Sequence, residues 1–197
     1  MNILQDRVRI RVFLAGFAIF AIWASTAAAS PMGEIERLMP PRTVVCHFEA
    51  QDVAGLMVNV RGKLTFLYVD RKLSQALSRQ RRAEYDRGEF SRIPAQIFAY
   101  ATKSKRKHVL FVTRVQALKG WNFDSSMLSI GGFSPAKEDI IIGISDNPAQ
   151  ELRFGERNLA AGYEGFIGFF VPAESVKPGE TINLGYATDS VEWIVPE

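Results

Sequence analysis

From Thr43 onward the chain is a succession of short apolar runs cut by turn residues, and few folds accommodate that rhythm. Runs of roughly four to eight residues bounded by glycine, proline or aspartate are too short for stable helices and suit antiparallel strands. Residues 43–49 alternate: Val44, Cys46 and Phe48 fall on one face, and Thr43, His47 and Glu49 on the other. Residues 56–60 and 64–69 flank Arg61-Gly62, which predicts a tight hairpin because glycine accepts positive φ. A second hairpin is expected from 95–102 and 109–115, with a basic tip at 103–107. Later strands are expected at 126–130, 139–144, 165–171, 181–186 and 191–195. The runs 140–142 and 166–171 are apolar on both faces and belong in the middle of a core.

One segment, 70–88, reads as a helix. Asp70 suits the N-cap and Gly88 the residue just past the end, with Leu73, Ala76 and Leu77 as a narrow buried stripe. About ten strands and one helix predict a mainly β, single-domain antiparallel β-sandwich, immunoglobulin-like or jelly-roll-like, with one short helix.

Ahead of this domain the sequence changes character. Arg7, Arg9 and Arg11 precede an apolar stretch at 12–24, and Ala27-x-Ala29 offers the small side chains that a signal peptidase accepts. The expected organisation is a signal peptide at 1–29, a flexible proline-rich tether at 30–42 and a β-sandwich domain at 43–197. The stretch of 13 apolar residues falls short of a bilayer span, which takes ~20. Export to a periplasmic or extracellular location is therefore expected, with no stable membrane span after cleavage.

Without the leader the chain keeps 21 Lys/Arg and 20 Asp/Glu, so no global field favours nucleic acid, and none is expected as a partner. The distribution is uneven. Residues 30–120 hold 17 Lys/Arg against 8 Asp/Glu, whereas 121–197 hold 4 against 12. A single cysteine, Cys46, excludes an intrachain disulfide, so the core alone must hold the fold.

Residues for chemistry are sparse. Two histidines and one cysteine supply few metal ligands, and Cys46 and His47 point to opposite faces of a strand, so neither metal nor cofactor is expected. There is no Gly-x-Ser-x-Gly elbow, no phosphate loop, and no cation on the Cys46 face to activate a thiolate. Glycine-rich 162–168 runs into a strand rather than a helix. Asp146, Glu151, Glu156 and Glu164 are carboxylates in a loop-rich stretch, the one route to a carboxylate-dependent glycan hydrolase.

Two surfaces suit binding instead. The first is basic: Arg71, Lys72, Arg79, Arg81 and Arg82 with the tip residues Lys103, Lys105, Arg106 and Lys107. Such a patch can hold phosphates or carboxylates. The second is aromatic: Trp121 and Tyr163 lie beside glycines in expected loops, whereas Trp193 alternates with Val191 and Val195 as a core residue does. The first expectation is thus a non-catalytic binding or accessory protein that uses its basic surface on an envelope or surface protein or an anionic glycan. A carbohydrate-binding module using Trp121 and Tyr163 is the alternative, and the hydrolase comes third. The oppositely charged halves also offer a route to self-association.

Overall fold

The computed structural model describes residues 31–54, 56–79, 107–141 and 147–197. Helix α1 (Pro31–Leu38) and a 3-10 turn (Pro40–Arg42) lead into β1 (Thr43–Phe48), β2 (Gln51–Val53), β3 (Leu56–Val58) and β4 (Gly62–Val69). Helix α2 (Arg71–Arg79) follows. After it come β5 (His108–Ala117), β6 (Trp121–Asp124), β7 (Leu128–Ile130), β8 (Ile140–Ile141), β9 (Glu156–Leu159), β10 (Glu164–Pro172), β11 (Thr181–Tyr186) and β12 (Asp189–Ile194). A five-stranded antiparallel sheet has the order β1-β4-β5-β10-β8, and a three-stranded one the order β12-β11-β7. Two ribbons, β2-β3 and β6-β9, complete the strands among the described residues. The fold is a mainly β sandwich.

Alternation along the central strands explains the layering. Leu64, Phe66, Tyr68, Phe111, Val115, Ile167 and Phe169 point into the sandwich, where they meet Leu128, Ile130, Leu184, Tyr186 and Trp193. The intervening Leu67, Val69, Leu110, Val112 and Phe166 point the other way, onto Ile35, Leu73, Ala76 and Leu77 of the two helices. Strand residues that are apolar on both faces need a cover on each side, and the helices supply the second.

The expected tether is therefore structured: residues 31–38 form α1, because Ile35 and the partly buried Leu38 share a face that packs into the helical layer. Among the described residues there are two helices where the pattern marked one. Asp70 caps α2 as expected, accepting the Leu73 N–H at 2.7 Å through Oδ1. Its Oδ2 accepts from Arg42 Nη2 at 2.6 Å, and Arg42 Nη1 donates to the Leu38 carbonyl at 3.1 Å. One buried guanidinium thus joins the end of α1 to the start of α2. The extension of α2 to Gly88, the strand at 95–102, residues 142–144 and the leader at 1–29 lie outside the described residues.

The hairpin expected at Arg61-Gly62 is replaced by a different arrangement. β2 pairs with β3, Val53 opposite Leu56, while Gly62 opens β4 and lies opposite both Phe48 and Ala117. Glycine is required there for space rather than for a turn, since a Cβ would overlap the six-membered ring of Trp121. Gly62→Ala should cost about 1–3 kcal/mol by overpacking, read as a lower denaturation midpoint in urea with an unchanged slope.

Candidate functional site

Three of the expected basic residues, Arg71, Lys72 and Lys107, lie at one end of the five-stranded sheet. Val69 of β4 pairs with Leu110 of β5, so Arg71 and Lys72, just past the end of β4, leave the sheet at the same edge where Lys107 enters it. The start of β5 is clamped by Ala173, whose N–H donates to the Lys107 carbonyl at 2.8 Å. Arg71, Lys72 and Lys107 are all exposed. Arg79 is the last residue of α2. Arg81, Arg82, Lys103, Lys105 and Arg106 lie outside the described residues.

Local electrostatics make this end unusual. No acid occupies the first turn of α2; Arg71 and Lys72 do. A helix N-terminus carries partial positive charge, so cations there work against helix stability. The adjacent Asp70 is already committed to Arg42 in a largely buried ion pair. Lys72 Nζ donates to the main-chain oxygen of Glu197 at 2.8 Å, which steadies the side chain. The two halves of the sequence also meet within the molecule, for Arg114 and Glu164 pair at 2.8 Å between β5 and β10.

The aromatic alternative is corrected by the packing. Trp121 is a buried core residue on β6, only 4% exposed, because the space left by Gly62 receives its indole and Phe48 stacks on it at 5.0 Å. Tyr186 and Phe123 meet the same ring edge-on at 5.0 and 5.2 Å. Trp193 is buried, as its alternation implied, and donates from Nε1 to the Pro41 carbonyl at 2.9 Å. Tyr163 is half-buried between Gly165 and Arg157, the latter 5.3 Å from its ring centre, and burial raises its pKa. No paired stacking platform exists at these two residues.

The four carboxylates have different settings. Glu151 is buried beside β10, Glu164 is held by Arg114, Glu156 is exposed on β9, and Asp146 lies outside the described residues. Among the described residues no group of three or more His, Cys, Asp or Glu is placed to hold a metal ion, and no helix is long and apolar enough to cross a bilayer.

A surface that the sequence pattern did not single out lies at the other end of the sheet. Glu49, Ala50, Gln51, Asn59, Arg61 and Lys119 line an open cleft of about 380 Å³ at the base of the β2-β3 ribbon. Arg61 pairs with Glu49 and donates to the Gly120 carbonyl at 2.6 Å, while Lys119 donates to the Asn59 carbonyl at 3.3 Å. The signal was present as the apolar run 53–58 bounded by Asp52 and Asn59, with Ala54-Gly55 at its centre. Compared with known protein families, characterised proteins and solved structures, the chain matches none.

Cys46 is a core thiol, facing inward with Val44 and donating weakly to the Asp189 carbonyl at 3.7 Å. Burial, with a smaller contribution from the Asp189 charge, pushes its pKa from 9.0 up to about 11. A raised folded-state pKa on this acid means that the protonated thiol's contribution to stability is complete below pH 9 and is lost as pH rises toward 11. Native labelling by a thiol reagent at pH 8 should therefore be slow and become fast in denaturant. Fast native labelling would show the thiol to be exposed.

Proposed function

We propose that the chain is an exported, non-catalytic binding protein that holds an anionic envelope or surface protein, or an anionic glycan, against the basic end of its five-stranded sheet. The observation that carries this reading is the placement of Arg71 and Lys72 in the first turn of α2, where they work against the helix, together with Lys107 at the same edge. Cations held against local preference are a mark of a surface used for something other than stability. The burial of Trp121 removes the motive for the carbohydrate-stacking alternative. Glu164 is engaged by Arg114, which occupies one of the carboxylates that the hydrolase alternative would use. The proposed leader at 1–29 supports export, with cleavage after Ala29.

Reversing Arg71, Lys72 and Lys107 to Glu should leave the fold intact, because exposed substitutions change stability by only about 0.5 kcal/mol each. Elution from an immobilised sulfated polysaccharide should move to much lower salt in the triple variant, and cross-linking to envelope proteins should fall with it. Unchanged elution and cross-linking would show that these cations are a solvated face. For export, intact-mass analysis of protein recovered from an exporting host should give a chain beginning near Ser30. A product that keeps residues 12–24 in the membrane fraction would overturn the secretory reading.

A further inference from the structure

The β2-β3 ribbon leaves the sheet between β1 and β4 and ends in six consecutive apolar residues, 53–58. Val53 is 56% exposed, Leu56 69% and Val58 36%. Val53 pairs with Leu56 and Gln51 with Val58, so the three aliphatic side chains share one face of the ribbon. Leu118, 52% exposed, lies in the neighbouring turn, where its N–H donates to the Arg61 carbonyl at 2.9 Å. Glu49 (φ 47°) and Asn59 (φ 59°) take left-handed backbone at the base, one on each strand side, where the pairing of β1 with β4 gives way to that of β2 with β3.

We propose that this ribbon is a membrane-docking device that inserts its apolar tip into the headgroup boundary of a phospholipid surface. Its polarity changes along its length in the order that such insertion needs. Aliphatic side chains occupy the tip, and a collar of Glu49, Gln51, Asn59, Arg61 and Lys119 surrounds the base. Beyond Gln51 the ribbon extends roughly 7 Å at about 3.3 Å per residue, within the ~5–10 Å to which apolar faces enter that boundary, with Asp52 opposite Met57 rather than at the tip. Lys119 donates to a neutral carbonyl, so its charge is retained for a lipid phosphate, whereas Glu49 offsets Arg61.

Two features disfavour a protein in this role. The tip holds only Val, Ala, Gly, Leu and Met, without the Trp, Tyr and Arg on which protein interfaces concentrate their binding energy. Three exposed aliphatic side chains also offer roughly a few hundred Å², well short of the ~800 Å² per partner of a stable dimer. The basic edge with Arg71 and Lys107 lies at the far end of β4, so a docked ribbon leaves it facing away from the lipid.

A reporter at the tip tests this. The full chain carrying Cys46→Ala and Leu56→Cys is labelled with an environment-sensitive fluorophore. It is compared with Cys46→Ala, Thr181→Cys, labelled at the start of β11 opposite Ile194, whereas Asp189 at the other end of β12 contacts the ribbon base. Vesicles of phosphatidylcholine, with and without phosphatidylglycerol, are titrated in. Insertion predicts a blue shift and severalfold rise in emission at position 56, quenching by acyl-chain quenchers, and no response at position 181. Adding Val53→Asp should remove most of the rise. Thermal melting checks each variant, and Ala54→Cys replaces Leu56→Cys if that variant does not melt cooperatively. A silent tip label, equal responses at both positions, or a rise with protein concentration in the absence of lipid, the sign of self-association, would overturn the proposal.

Discussion

Strands β4, β5 and β10 have almost no solvent face, and that constraint organises the molecule. Every residue from Leu64 to Val69 is buried, as are Leu110 to Thr113 and Gly165 to Phe169. A sheet buried on both sides requires apolar partners above and below, and the chain supplies them differently. The three-stranded sheet covers one side, and the two helices cover the other. The helical layer is narrow, so its docking depends on a polar tie. Arg42, 3% exposed, pairs through Nη2 with Asp70 and donates from Nη1 to the Leu38 carbonyl. A guanidinium so far out of water is tolerable only with such partners. Nearby, Tyr68 has its pKa pushed up to about 12, first by burial and then by the Asp70 charge, with Arg42 opposing.

The same sheet separates two surfaces of contrasting chemistry. At one end, α2 and the start of β5 bring cations together where the helix would prefer acids. At the other, the ribbon between β1 and β4 carries aliphatic residues into solvent above a polar base. A β-sandwich leaves its loops at its two ends, so each end can be specialised without disturbing the core.

Much of the frame was legible from period alone. β1, β10, β11 and β12 fall where alternation or unbroken apolarity places them, and Asp70 announces α2 through its capping chemistry. Helix α1 was obscured because three prolines lie within 31–41, although two of them, Pro40 and Pro41, belong to the 3-10 turn beyond the helix and Pro31 opens it. Gly62 misled for a related reason: glycine marks either a positive φ or a close approach, and only the position of Trp121 decides between them. Trp121 itself looked like a loop residue because Gly120 precedes it, whereas β6 needs β9 as a partner, 35 or more residues later. The basic edge could be listed from the sequence but not located. That Lys107 lies at the same end of the sheet as Arg71 and Lys72 depends on the pairing of Val69 with Leu110, which no local pattern encodes.

The contacts of β1 carry a consequence for the order of events in biosynthesis. Pro41 is met by Trp193, 152 residues further along the chain, and Cys46 by Asp189, 143 residues further. The segment made first therefore waits for residues made last before its inner face is covered. Until then the nascent chain exposes Val44, Cys46 and Phe48, and contacts of such long range form slowly. A translocation machine that threads unfolded chains would receive this one still open. A cytoplasm without such a route would have to protect the exposed strand from pairing with a neighbour's edge.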